Sequence, residues 1–290
     1  MVTGIIEITK ILITIKLCII MKKLKTISIL VIILCGLSCS QKENRPPDNS
    51  YEKFVDGLVE LQNLADIKFD KKDSTYYCDL DFESYLTYFD QLKIDSNWSL
   101  ESHYRHFGDA GRPLILAFER NDSLGMKIKD KLSKSVKEFD GEFADWKLSE
   151  KLFDYQDSVE YLTPIQIKSD FGYFQFLVFS LFGDNYCKFG HSNYGHTDLI
   201  TSKQRIKEFT ELKNDFYYKF SNNEKLQALS IDPEPKIVVH NNDSVSVRIV
   251  TLGPWEGFIE RKFSITQQWP HKLRQYEKTV LLEYDCGIMF

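Results

Sequence analysis

The segment KIVVHNNDSVSVRIVTLGPWEGFIERKFSIT, residues 236–266, decides how the chain is read. Lys236–His240, Ser244–Thr251 and Gly257–Thr266 read as strands, with apolar and polar residues alternating through Ser244–Ile249. Asn241-Asn242-Asp243 and Gly253-Pro254-Trp255-Glu256 lie between these runs and carry the residue types that tight turns demand. Successive strands joined by such short turns pair antiparallel, because a parallel crossover needs a dozen or so residues. A last strand is expected over Thr279–Asp285.

Toward the middle of the chain the β signal is strongest. Ile165–Lys168, a turn at Ser169–Gly172, Tyr173–Phe182, a second turn at Gly183–Asn185 and Tyr186–Phe189 read as a meander. Leu114–Glu119, following Arg112-Pro113, reads as another strand. Helical spacing appears in Tyr51–Ala65 through Phe54, Leu58, Leu61 and Ala65, and in Phe82–Leu92 through Phe82, Tyr85, Leu86 and Phe89. It recurs in Lys127–Phe139, and in Lys203–Phe220, where Ser202 can supply the cap. Strands grouped with strands give the α+β class: an antiparallel sheet of mainly meander-connected strands with helices packed on one face.

The amino terminus is of another kind. None of the 21 Phe, 15 Tyr and 4 Trp precedes Tyr51, and the first 39 residues are rich in Ile, Leu and Lys. Met21 is followed by Lys22, Lys23 and Lys25, then by the apolar run Ile27–Leu34 and by Cys35-Gly36-Leu37-Ser38-Cys39. That is the charged, apolar and small-residue order of an export signal. Ile27–Ser38 would span about 18 Å as a helix against a hydrocarbon core of about 30 Å, too short for a comfortable crossing. Leu37-Ser38-Cys39 with the polar residues behind it resembles the lipobox of bacterial lipoproteins cut by signal peptidase II, although Gly36 stands where that motif prefers an aliphatic residue. The resemblance covers residues 21–43. It implies that Cys39 becomes the first mature residue, with a diacylglycerol on its sulfur and an acyl chain, palmitate for example, on its nitrogen. Several chains on one cysteine anchor a domain that a single chain would hold only marginally.

The expected organisation is therefore an extension over 1–20 ahead of a true start at Met21, a signal peptide over 21–38, a lipidated Cys39 and polar tether over 39–50, and a single exported domain over 51–290. Ser40-Gln41-Lys42-Glu43 is similar to the short charged tags that direct some outer-membrane lipoproteins to the outer face, and it is equally a plain spacer. The location implied is the bacterial envelope, with the outer membrane favoured and the face open.

The composition of the whole chain, with 37 basic and 42 acidic residues, understates the acidity of the exported part. From Cys39 onward the balance is 32 basic to 41 acidic, a formal charge of -9. Nucleic-acid binding, which needs a concentrated basic footprint, is therefore not expected. The Lys-rich stretch 127–137 is flanked by Glu138, Asp140, Glu142 and Asp145 and reads as a solvated helix face.

Gly190-His191-Ser192-Asn193-Tyr194-Gly195-His196-Thr197-Asp198 is the richest candidate for chemistry. His191, His196 and Asp198, with Asp184 close in sequence, are ligand types for a metal, but two histidines five positions apart in a Gly-bounded loop is not a diagnostic spacing. Ser192 nearly completes a Gly-x-Ser-x-Gly elbow, missing the second glycine, and His240 or His271 would have to serve as its partner. His103, His106 and Asp109 form a smaller cluster on an expected helix or turn, and Trp255 can fold onto the sheet or meet a ligand. Asp79 with Asp81, or Glu256 with Glu260, is too ordinary a pairing to indicate glycosidase work. Cys78, Cys187 and Cys286 allow one disulfide or none, with Cys286 expected in a buried terminal strand.

Taken together these residues suggest a lipid-anchored exported protein acting as a binding or structural module without catalysis. The alternatives are an exported, metal-assisted hydrolase built on the 184–198 loop and an aromatic-lined receptor for a small ligand or glycan. No cofactor is expected, and the membrane, through the N-terminal lipid, is the one partner implied.

Overall fold

The computed structural model describes residues 50–71, 75–107, 110–123, 125–127, 160–193, 196–212, 218–240 and 243–287. The expected signal, the lipidation site, the tether up to Asn49, all but the first residue of the Lys127–Phe139 helix, and Asp109 lie outside the described residues, and Ser50, expected in the tether, already belongs to the first helix. From the amino-terminal side the elements are helix α1 (Ser50–Leu64), strands β1 (Ile67–Asp70) and β2 (Thr75–Cys78), helix α2 (Phe82–Thr87), and strands β3 (Leu92–Ile94), β4 (Trp98–Phe107) and β5 (Ala110–Glu119). Next come β6 (Ile165–Ile167), helix α3 (Asp170–Phe182), β7 (Phe189–Gly190), a single 3-10 turn (His191–Asn193), β8 (Asp198–Ile200), and helices α4 (Lys203–Glu211) and α5 (Asn222–Ser230). Strands β9 (Lys236–Val239), β10 (Ser244–Gly253), β11 (Gly257–Thr266) and β12 (Leu273–Leu282) complete the order.

The class is α+β, and every described strand pair is antiparallel. The main sheet runs β12-β11-β10-β8, with β9 beside β8 along the same edge of β10. Its centre is the hairpin read from sequence: β10 and β11 pair without a slip from Ser244↔Thr266 to Gly253↔Gly257. Gly257 has φ +75°, and a Cβ there would lie 2.0 Å from the Leu282 carbonyl oxygen, so the turn can close only on glycine. Around this sheet stand three smaller ones, β1-β2, β3-β6 and β4-β5-β7.

One expectation is overturned at the centre of the molecule. Residues Tyr173–Phe182, read as a strand, belong to α3. The sequence DFGYFQFLVFSLF is apolar on every side and so shows no helical period; Phe174, Phe176, Leu177, Val178 and Phe179 are all at most 1 % exposed. What read as a turn at Ser169–Gly172 is the helix cap, with the Ser169 hydroxyl accepting the Gly172 N–H. The adjoining Tyr186–Phe189 forms no strand before Phe189. Three boundaries move as well. The helix begun at Phe82 stops at Thr87, the final strand is Leu273–Leu282 instead of Thr279–Asp285, and the helix expected over Lys203–Phe220 ends at Glu211. There Leu212 leaves helical geometry, and Ser221 starts α5 with a capping box to Glu224.

A helix buried all round must satisfy its terminal backbone groups with protein instead of water. At the N-terminal end of α3 the Ser169 hydroxyl also donates to the Gln91 side chain, while buried Gln175 accepts the Gln91 N–H and donates to Asp90, each at 2.9 Å. At the C-terminal end Tyr161 donates to the Ser180 carbonyl (3.0 Å), Gln62 to that of Phe182 (2.7 Å), and Tyr85 to that of Gly183 (2.9 Å). Burial pushes the Tyr85 and Tyr161 phenols upward, so both keep the proton they donate.

The main sheet separates two apolar clusters. Val245, Val247 and Ile249, with Phe263 and Ile265 opposite, face α1, α2 and α3. Val250, Leu252 and Phe258 face Ile206, Tyr218, Phe220 and Ala228 on the other side. Helix packing therefore extends to the second face too, and the lower half of β10 is buried on both faces where the upper half alternates. The exposed part of the second face carries ion pairs, Arg248 to Glu260 and Lys262 to Glu277, each 2.7 Å.

Two outcomes test this packing. A Cβ on Gly172 would lie 2.8 Å from Ile167 Cγ2 and 2.9 Å from the Gln91 carbonyl oxygen. Gly172→Ala should therefore lower the unfolding free energy by about 1–3 kcal/mol in urea, although the same change in an open helix stabilises. A stabilised variant would contradict the close approach. The second concerns His271, which is buried, donates Nδ1–H to the Thr266 carbonyl (2.8 Å) and accepts the Ile167 N–H at Nε2 (3.3 Å). Burial holds its imidazole below the ordinary value of 6.5. The unfolded chain thus takes up a proton that the native state refuses, and stability should fall as pH drops below about 6.5. In His271→Gln the absolute stability should be lower, and this part of the pH slope should vanish from equilibrium unfolding measured across pH 7 to 5.

Candidate functional site

Where the short strand β8 ends beside β10, a half-open cleft of about 500 Å³ lies at the junction of the two clusters. One wall is the end of α1 and the start of the β1–β2 hairpin, contributing Gln62, Asn63, Asp66 and Ile67. The facing wall is the turn Asn185–Lys188. The floor is made by His196, Asp198, Phe209 and Tyr218, and Pro254 and Trp255 from the β10–β11 turn complete the lining.

The register of the sheet explains why these groups meet. Asp198 pairs with Leu252, so its side chain shares the face of the second apolar cluster and lies beside the strand end that leads into the turn carrying Trp255. His196 Nε2 is 3.2 Å from Asp198 Oδ1, and the Tyr218 hydroxyl donates to Asp198 Oδ2 at 3.4 Å. Lys188 donates to Asn185 (2.7 Å) and Asp184 (3.3 Å), and Lys68 pairs with Asp66 at 2.5 Å. Burial pushes the Tyr186 phenol upward, helped by the nearby Asp184 charge, and that hydroxyl lies 2.6 Å from Ser102 Oγ.

Covalent chemistry fixes two of the walls to each other. Cys78 of β2 and Cys187 of the facing turn form a disulfide, leaving Cys286 free, and Cys187 lines the cleft. Cys286 follows β12 and is partly exposed, not part of a buried strand; its N–H donates to the Pro254 carbonyl at 2.8 Å.

Of the residues singled out from sequence, His196, Asp198 and Trp255 reach the cleft beside Cys187. Asp184 turns to Lys188, and exposed His191 begins the 3-10 turn with Ser192. That turn replaces the strand-to-helix elbow a nucleophilic Ser192 would need. Its two suggested partners are engaged elsewhere, His240 with Ser246 Oγ (2.7 Å) and His271 as described. Among the described residues no group of three or more His, Cys, Asp and Glu side chains is arranged to hold a metal ion, so Asp184, His191, His196 and Asp198 do not assemble as a ligand set. His103 and His106 lie on β4, not on a helix or turn, and His103 Nε2 is 3.4 Å from Glu101 Oε2. Glu256 is held below the usual carboxylate range by Lys278 and Arg261; Glu260, in spite of its burial, is held below it by Arg248 and Lys262. Both are committed to ion pairs.

Lys188, Tyr186, Tyr218, Gln62 and Asn63 were not singled out, because each is ordinary in its local context and becomes a cleft residue only through long-range packing. Chemically the arrangement offers hydrogen-bond donors and acceptors beside aromatic surface, and Asp198 can orient His196 as a general base. Comparison with known proteins gives no match: no family model, curated protein or solved structure aligns with the chain.

The disulfide closes a loop with a sequence separation of 109. Replacing both partners, Cys78→Ala with Cys187→Ala, should lower stability by about 2–4 kcal/mol, read from denaturant unfolding with and without a thiol reductant. Equal stability of wild type and double variant in the absence of reductant would show that the crosslink is not formed.

Proposed function

We propose that this chain is an exported protein held to the bacterial envelope by lipid on Cys39, and that it works by binding a small polar ligand in the cleft at the β8 edge. The observation that carries the binding reading is the lining: aromatic side chains interleaved with amides and carboxylates in a cleft of about 500 Å³, a volume in the range of small-molecule sites. The Cys78–Cys187 pair supports export, because disulfides persist in oxidising compartments. The lipid supports a protein that waits at a membrane surface for a diffusing solute.

The pair His196–Asp198 favours a second reading, an exported hydrolase in which Asp198 orients His196 as base. Turnover of an ester or glycoside that His196→Gln abolishes would favour it over binding alone.

Two measurements test the main reading. Cells fed an alkyne fatty acid should label the wild type and not Cys39→Ala; unchanged labelling would remove the anchor. Full-length protein in detergent, screened by ligand-observed NMR against a panel of small neutral, cationic and anionic solutes, should give saturation transfer to at least one class, and Asn63→Trp, which fills the cleft, should suppress it.

A further inference from the structure

The geometry points to a neutral saccharide, presented as a mono- or disaccharide end, as the ligand of the cleft, with one sugar face laid on Trp255 and adjacent hydroxyls held by Asp198 and neighbouring amides. This rests on the binding reading above and narrows it to one chemical class.

The argument begins with charge. Each charged group on the cleft walls already has a partner in the protein: Asp66 has Lys68, Lys188 has Asp184, and Asp198 has His196 and Tyr218. An ionic ligand of either sign would have to compete with those pairs and would gain little, since a site built for an ion presents a charge left over for it. A neutral ligand meets no such competition.

Hydrogen-bonding capacity is plentiful instead. Asn63 and Asn185 bring amides, and an amide both donates and accepts, as a hydroxyl does; Gln62 spends its N–H groups on Tyr85 and the Phe182 carbonyl and offers its oxygen as an acceptor. Asn185 uses its carbonyl oxygen on Lys188, which fixes the side chain with its NH₂ still able to donate. The carboxylate of Asp198 is only 16 % exposed and accepts its two protein bonds at 3.2 and 3.4 Å, long for a charged acceptor, so lone pairs remain for a hydroxyl pair. A neutral ligand that can use many mixed donor and acceptor groups at once is a polyol.

Aromatic surface then separates a ring from an open-chain polyol. Trp255 and Phe209 lie at intermediate exposure on the lining, one on the β10–β11 turn and one on α4. Pyranose rings carry one face of C–H groups, which an indole covers, whereas their hydroxyls point outward to the amides. The disulfide and the Gly253–Gly257 turn keep two of the three parts rigid, which limits the ordering cost on binding.

The test uses full-length protein in a non-glycosidic detergent, because alkyl glycosides would compete. Cellobiose, maltose and N,N′-diacetylchitobiose are compared with a primary amine and a carboxylate of similar size by saturation-transfer NMR. Transfer to the ring C–H protons of at least one disaccharide is expected, with affinity falling about tenfold in Trp255→Ala and unchanged in Trp269→Ala, whose indole lies off the cleft. Trp255→Phe, which keeps an aromatic face, should retain most of the affinity and replaces the alanine variant if that one loses its fold by near-UV circular dichroism. Binding of the amine or carboxylate without any disaccharide would overturn the saccharide assignment while leaving a receptor. Disaccharide binding that survives loss of the Trp255 ring would overturn the assigned site. No transfer to any solute would overturn both readings.

Discussion

The structure depends on the burial of a helix that has no polar side. Once α3 sits at the centre, the polar groups buried at its two ends need partners inside the protein, and those partners constrain what surrounds it. At one end Gln91 and Asp90 bond the Ser169 hydroxyl and the Gln175 amide, which holds the turn between α2 and β3; at the other Gln62, Tyr85 and Tyr161 donate to backbone carbonyls, which holds α1, α2 and the approach to β6. Leaving one of these groups unpaired costs about 1–3 kcal/mol, more than the bond itself contributes net, so the polar shell around α3 selects one arrangement of its neighbours.

From this centre the sheet acquires its second role. A sheet in contact with solvent on one side would alternate along its whole length; β10 does so only in its first half and then is buried on both faces. The second cluster, under α4 and α5, produces that change, and the cleft takes its lining from both clusters. That lining is mixed because it takes side chains from the apolar cores and from the loops that end them.

How much of this could be read from the chain alone follows from physical range. The β10–β11 hairpin was legible because alternation and turn residues act over a few positions; Gly257–Thr266 agrees with the expected strand at both ends. The cap at Ser202 was legible for the same reason. Helix α3 was not, since complete burial erases the contrast between faces that marks a helix, and runs of Phe and Val have high β propensity. In the cleft, His196, Asp198 and Trp255 stood out as polar or aromatic residues in turns. Lys188 and Tyr218 did not, and no local pattern could have shown that residues on either side of α4 and beyond α3 would face the end of α1. The Cys78–Cys187 pairing likewise needed coordinates to choose among three thiols.

That pairing also imposes an order in time. The β1–β2 hairpin and the end of α1 are complete in the chain long before Cys187 has been made, so one wall of the cleft must wait unsecured until the segment that holds the other has been synthesised and the two thiols oxidised. By then α3 lies directly ahead of Cys187 in the chain, and the Gly183 carbonyl that follows it accepts the Tyr85 hydroxyl. The crosslink therefore restrains the same turn that the central helix delivers, and it ties a wall made late in the chain to a wall made early.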